Sequence, residues 1–263
     1  MPAAVALSFD VEEFDLPLEY GVAIDEAEQY RVGAEGLVVV LDMLDALGAT
    51  ATFFCTGAFA RRRPDLIARI VTRHELASHG MNHSGFEPAD LLASRELLES
   101  IGGVRVAGFR MARMAPVDTN AIRNAGYTYN ASENPIWLPG RYNKFFAPRR
   151  PYVREGLVQI PAGTSPLVRW PLFWLAFKNA PVACSRLATR WALAWDGETN
   201  LYFHPWEFAA LDRFAVPGFI RRPDGTAMRD RLFEYLQWLM KRAELITMNT
   251  IAERTRAAAG ASA

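Results

Sequence analysis

Cysteine is nearly absent from this chain: 263 residues contain two. Cys55 closes the apolar run Ala51-Thr-Phe-Phe-Cys55 and reads as a core thiol, and Cys184 has no second thiol nearby. Neither a disulfide framework nor a cysteine metal knuckle is expected. Net charge is missing as well. Lys+Arg and Asp+Glu both total 29, so nothing suggests nucleic acid as a partner. No basic start leads into a long apolar run, and Asp10 arrives too early for a signal peptide, which makes the cytoplasm the expected location. The one membrane candidate, Leu167 to Val182, is short and contains Arg169, Pro171 and Lys178, so it does not span a bilayer. Its Trp170, Phe173, Trp174 and Phe177 recur at helical steps. That fits a buried helix, the default, or a surface patch for peripheral membrane contact with a lipid-linked substrate. A Gly-rich phosphate loop and a Gly-x-Ser-x-Gly nucleophile elbow are also lacking.

Histidine is scarce too, with four in all, yet two of them stand four residues apart in Glu75-Leu-Ala-Ser-His79-Gly-Met-Asn-His83. That spacing brings both rings to one side of a helical turn, or of a tight loop where a strand ends. Gly80 lets the backbone bend between them. Imidazole is the commonest protein ligand for zinc-like metals; two half-exposed polar loop residues are the plain alternative. The start of the chain favours the metal. Ala4 to Phe14 reads as a buried strand whose C-terminal end carries acids, and strand alternation puts Asp10 and Glu12 on one side with Val11 on the other. Two like charges on one face are costly unless a cation or a shared proton offsets them. A solvated strand end is the competing reading. With the histidine pair, these carboxylates supply a facial N,N,O metal site and one spare carboxylate. Such an open site suits hydrolysis.

Apolar residues make up 51% of the chain, enough for a sizeable core, and the length fits one domain in the range that barrels occupy. Strand-like runs at 4–10, 51–55, 75–78, 104–109, 127–131, 157–160, 201–204 and 245–248 alternate with helical patterns. The clearest of these helices are 33–47, 64–73, 88–101, 117–125 and 227–242. Seven or eight strand–helix units predict a parallel α/β barrel. Asp10, Glu12, His79, Arg110 and His204 all fall at or just past predicted strand ends, where barrel enzymes place their chemistry. Residues 1–253 are expected to form the single domain, and 254–263, rich in alanine, a frayed and disordered tail.

Several motifs in one order carry a resemblance. Ser8-Phe9-Asp10-Val11-Glu12, Phe53-Phe54 with Gly57, His74-Glu-Leu-Ala-Ser-His79-Gly-Met-Asn-His83, Gly108-Phe109-Arg110 and Leu201-Tyr-Phe-His204-Pro-Trp-Glu207 span essentially the whole domain. Together they resemble the polysaccharide deacetylases of the NodB-homology type (carbohydrate esterase family 4), in the variant with an Asp-x-Glu first motif. The resemblance implies a distorted (β/α)7-8 barrel. It implies Asp10 as general base, and Glu12, His79 and His83 as ligands of one divalent metal, most simply Zn2+. His204 would be the general acid, Arg110 would hold and tune Asp10, and His74 would be structural. The reaction implied is metal-dependent hydrolysis of the acyl amide of an N-acetylated amino sugar. Its substrate would be a glycan or lipopolysaccharide precursor, nucleotide- or lipid-linked. An amidase acting on a small non-sugar amide or cyclic ureide, and a catalytically silent carbohydrate-binding member, are the alternatives.

Three departures from the family pattern stand out. The arginine motif runs Arg110-Met111-Ala112-Arg113 instead of continuing with proline, which unsettles the loop that would bind the oxyanion and adds a charge at the mouth. Asn130 stands where relatives often show aspartate, and Glu12 replaces a second aspartate. Asp196, Glu198 and Glu207 are candidates for steering His204 or Arg110, or else solvated loop acids. Tyr129, Trp137, Tyr142 and Trp206 are candidates for stacking on a sugar, or else packed core aromatics.

Overall fold

Strand β1 (Ala4–Val11) is buried at every residue. A strand covered on both faces belongs inside a parallel sheet, and the computed structural model, which describes residues 2–138 and 142–261, places it there. Parallel β2 (Thr52–Cys55), β3 (Glu75–Ser78), β4 (Gly108–Phe109) and β5 (Tyr129–Asn130) follow it in spatial order. A two-stranded antiparallel pair, β6 (Trp137–Leu138) and β7 (Tyr142–Asn143), stands apart. β8 (Tyr152–Arg154) folds back antiparallel on β9 (Leu157–Gln159), which joins β5 in parallel. β10 (Glu198–Phe203) runs along β1 from Ala4 to Phe9, and β11 (Glu244–Ile246) pairs with Ala4–Ala6.

The result is a distorted α/β barrel, because the path from β10 through β1 to β9 and β8 does not return on itself by strand pairing. Side chain replaces ladder at the seam. Asn200, on β10, accepts from the Gly163 N–H at 3.0 Å and donates to the Pro161 carbonyl at 2.8 Å. A Cβ at Gly163 would lie 2.0 Å from the Asn200 carbonyl oxygen, so only glycine allows this approach.

Helix Glu26–Leu47 fixes the loops that carry the site. Its Gly36 would place a Cβ 1.8 Å from the Pro205 carbonyl oxygen, and Gly33 one 2.6 Å from that of Glu12. One glycine-bearing face therefore presses on the segment after β1 and the segment after β10 together. The helix starts well before the expected 33, since Tyr30 and Val32 are also buried and Glu26 and Glu28 suit its N-terminal turn.

Other boundaries shift for similar reasons. The strands expected at 104–109 and 127–131 shrink to two residues each, because only Gly108–Phe109 and Tyr129–Asn130 find partners. The stretch from Leu167 to Val182 is not one buried helix. Leu167 and Val168 are exposed, and helix begins only at Trp174–Asn179, followed by Val182–Asp196. Pro171 and left-handed Leu167 and Arg169 break the first half. Residues 254–260, expected to fray, continue helix Met248–Gly260, anchored by buried Met248, Ile251 and Ala252. Among the described residues, no helix is long and apolar enough to cross a membrane.

Candidate active site and metal centre

Strand alternation delivers what the sequence implied at the end of β1: Ser8, Asp10 and Glu12 point to one side. Glu12 Oε2 lies 3.1 Å from His79 Nε2 and 3.2 Å from His83 Nε2, and all three residues are buried. His79 follows directly on β3, and Gly80, with φ +84°, turns the chain so that His83 comes back beside it. Their rings lie 6.1 Å apart and nearly parallel.

Whether this trio fits a cation is answered by the other ring nitrogens. His79 Nδ1 donates to the Arg110 carbonyl at 2.9 Å, and His83 Nδ1 to Asp15 Oδ1 at 2.7 Å. A bound cation would keep both imidazoles neutral, with their protons on Nδ1 and their Nε2 lone pairs turned toward it beside the carboxylate oxygen. Three acceptors converge, which is unfavourable unless a cation lies between them. The residues fit a divalent metal. Glu12, His79 and His83 form the cluster among the described residues able to hold such an ion.

The three side chains are themselves held. Trp206 Nε1 donates to Glu12 Oε1 at 3.1 Å. Glu13 accepts from the His83 backbone N–H at 2.7 Å and from Thr56 Oγ at 2.9 Å. Asp15 also accepts from Ser84 Oγ and from Arg113 Nη2. Burial raises the Glu12 pKa, but His83, His79 and His204 outweigh it and hold the carboxyl far below its usual range. Burial lowers the His83 pKa, and Glu12 and Asp15 outweigh that to raise it to about 8.

Beside this cluster lies Asp10, 3% exposed. Arg110 Nη1 donates to its Oδ1 at 2.5 Å and to Ser8 Oγ at 3.1 Å, while Nε donates to the Ala131 carbonyl. The guanidinium lies over Phe54, 4.0 Å from the ring centroid, with Tyr202 at 5.2 Å. Asp10 Oδ2 is left toward the cavity, 3.9 Å from His204 Nε2. The His204 ring stacks on Trp206 at 5.0 Å and meets the edge of Trp174 at 5.3 Å. Glu207 Oε1 accepts the His204 backbone N–H at 2.7 Å and lies 3.3 Å from Nδ1. Burial lowers the His204 pKa, and Glu207, Glu12 and Asp10 together more than reverse it, so the ring is more basic than usual.

Residues 4–130 match the family model for polysaccharide deacetylase. That first part of the chain is similar to polysaccharide deacetylases. A 70-residue segment is 40% identical to a chitooligosaccharide deacetylase of Sinorhizobium fredii, covering 26% of this chain and 33% of that relative, so the match spans about a third of its length. A structure assigned to a polysaccharide deacetylase of Mycobacterium smegmatis has TM-score 0.63 at 22% identity, covering 97% of this chain and 90% of that one. An allantoinase gives TM-score 0.63 at 16% identity with the same coverage. Both structural likenesses speak for the fold alone.

The site gathers Asp10, Glu12, His79, His83 and His204 around one narrow cavity, with Arg110 behind Asp10. Other candidates do not reach it. Asp196 pairs with Arg149 and Arg150, and Glu198 with Arg254. Tyr129 is fully buried and donates to Glu75, so it cannot stack on a sugar. Trp206, by contrast, does line the cavity, but its buried ring stacks on His204 and its N–H orients Glu12. Trp137 is exposed but lines a separate groove, and the side chain of Tyr142 lies outside the described residues. The extra charge at the mouth is answered: Arg113 donates to Glu19 at 2.7 Å, to the His83 carbonyl at 3.0 Å and to Asp15. These bonds offset the left-handed backbone at Arg113 and Met114, which costs about 1–3 kcal/mol per residue. Asn130 does not face His204. It accepts from Ser132, whose Oγ accepts the Met111 N–H at 2.8 Å, so this chain of bonds shapes the loop after Arg110 and occupies the Met111 amide.

Glu13, Asp15, Ser84 and Lys178 escaped sequence reasoning. One signal was present for the acids: four of the six residues from Asp10 to Asp15 are carboxylates, more than a single metal site uses.

Proposed function

We propose that this chain is a metal-dependent N-deacetylase that hydrolyses the acyl amide of an N-acetylated amino sugar in a glycan or lipopolysaccharide precursor, with Zn2+ held by Glu12, His79 and His83. The observation that carries the reading is the pairing of that trio with Asp10 and His204, whose functional atoms face each other at 3.9 Å across the same cavity. A divalent ion bound there supplies Lewis-acid activation of water and of the acyl carbonyl. Asp10 Oδ2, freed by the Arg110 contact to Oδ1, accepts the proton of the attacking water. His204, with Nδ1 turned to Glu207, gives its Nε2 proton to the departing nitrogen. Retention of both proton-transfer groups beside the trio argues against a silent carbohydrate-binding role.

The substrate class rests on a second feature. Exposed Trp137, Phe146, Leu167 and Val168 stand with Lys144 and Arg169 around two apolar grooves that share Trp137 and Phe145. Phe173 and Leu175 line one groove while Trp174, between them, lines the metal cavity. Aromatic residues beside cations suit the headgroup region of an anionic membrane, which supports a lipid-linked precursor over a nucleotide-linked one. A cytoplasmic site of action belongs to the same proposal, and cell fractionation checks it.

Acetate release from free, nucleotide-linked and lipid-linked N-acetyl sugars, before and after chelation and zinc return, is the direct test. Zinc-dependent release, strongest on the lipid-linked member, is expected. Cleavage of allantoin or another small amide with no release from any sugar would overturn the assignment.

A further inference from the structure

A lysine is among the least expected side chains in the apolar face of a short helix. Helix Trp174–Asn179 nevertheless carries Lys178 with its side chain fully buried. Its i, i+4 partner on that face is Trp174, whose ring meets both His204 and Trp206. Lys178 Nζ makes no hydrogen bond, and neither does Glu207 Oε2, 3.9 Å away. The ammonium also stands 5.6 Å from the Trp206 ring centroid. A buried ammonium and a buried carboxylate, each otherwise uncompensated, are tolerated in such a place only as partners.

The two oxygens of Glu207 are divided between two neighbours. Oε1 takes the His204 backbone N–H and faces Nδ1, while Oε2 faces Lys178. The charged groups around Lys178 are Glu207 and Asp224; those around His204 are Glu207, Glu12 and Asp10. Arg231, nearby in sequence space to neither, caps the Phe177 and Ala180 carbonyls at the end of the same helix.

We infer that Lys178 is a positioning residue: its ammonium, set behind Glu207, keeps that carboxylate charged and turned on His204 Nδ1, so that the histidine offers Nε2–H to the cavity and releases it readily. The inference rests on the proposed acid role of His204. With Lys178 in place, loss of the His204 proton leaves a neutral Lys178–Glu207 pair. Without it, the same loss leaves an uncompensated buried anion beside Asp10. The His204–Glu207 pair then holds its proton to higher pH and gives it up less readily.

Lys178→Met, of similar length and apolar, tests this. The zinc-loaded variant is expected to keep its metal content, to unfold at a lower temperature because Glu207 loses its partner, and to lose roughly 10-fold in kcat on an amide. The basic limb of its kcat/KM profile should move up by about one pH unit. In a Glu207→Gln background, Lys178→Met should move the limb no further, since the charge then acts through nothing. An unmoved limb in a folded, metal-replete Lys178→Met enzyme overturns the inference. If Lys178→Met does not fold, Lys178→Arg decides: it keeps the charge, so a limb at the wild-type position supports the assignment and a displaced limb overturns it. Failure of the His204 reading is seen separately, as His204→Ala with undiminished amide turnover.

Discussion

The Trp206 indole donates to Glu12 Oε1 at 3.1 Å while its ring stacks on His204 at 5.0 Å. One side chain thus aligns Glu12, the proposed oxygen ligand, and His204, the proposed acid opposite. Trp206→Phe keeps most of the packing and removes the N–H. Metal affinity is expected to fall by about 10–100-fold, as for other groups that orient a ligand. Competition with a chromogenic chelator measures it; unchanged affinity would mean that Glu12 is held by the trio alone.

Base and ligand separate by mutation. Asp10→Asn should retain stoichiometric metal and lose on the order of 10²–10⁴-fold in turnover. Glu12→Gln, His79→Ala and His83→Ala should lose metal instead. Elemental analysis of the purified variants distinguishes these outcomes, and metal lost from Asp10→Asn but kept in Glu12→Gln would exchange the two roles.

For His204 the leaving group is the probe. An amine needs a proton to depart, whereas an activated phenol does not. His204→Ala is therefore expected to spare metal content and to damage amide turnover far more than turnover of an activated ester. Equal losses on both would assign His204 to binding instead.

His74 makes a prediction about stability. Burial against Phe53 holds its pKa at about 4, below the usual 6.5. The unfolded chain therefore takes up this proton first on acidification. The contribution is complete above 6.5 and is lost as the pH falls toward about 4. His74→Leu removes it, so the variant should gain stability relative to the wild type across that window, read by urea unfolding at several pH values. A constant difference would show that His74 titrates alike in the folded and unfolded chain.

Much of the site was legible in the sequence because it depends on local periodicity. Alternation along β1 puts Asp10 and Glu12 on one side, and a four-residue spacing around Gly80 pairs His79 with His83. Both are short-range consequences of backbone geometry, and neither needs to know what lies across the barrel. The alternating strand and helix patterns likewise announce parallel strands, and strand ends mark where reactive groups gather.

What tertiary structure alone decided is which distant side chain meets which. Glu207 rather than Asp196 serves His204, because the turn after β10 folds Glu207 back while Arg149 and Arg150 claim Asp196. Trp206 orients Glu12 instead of stacking on a sugar, because helix Glu26–Leu47, through Gly36, presses its loop inward. Lys178 looked like an interruption in an apolar run until Glu207 lay beside it. A residue's own spacing carries no record of a charge brought near from elsewhere in the chain. Burial of one partner against the other exists only once the barrel has closed around both.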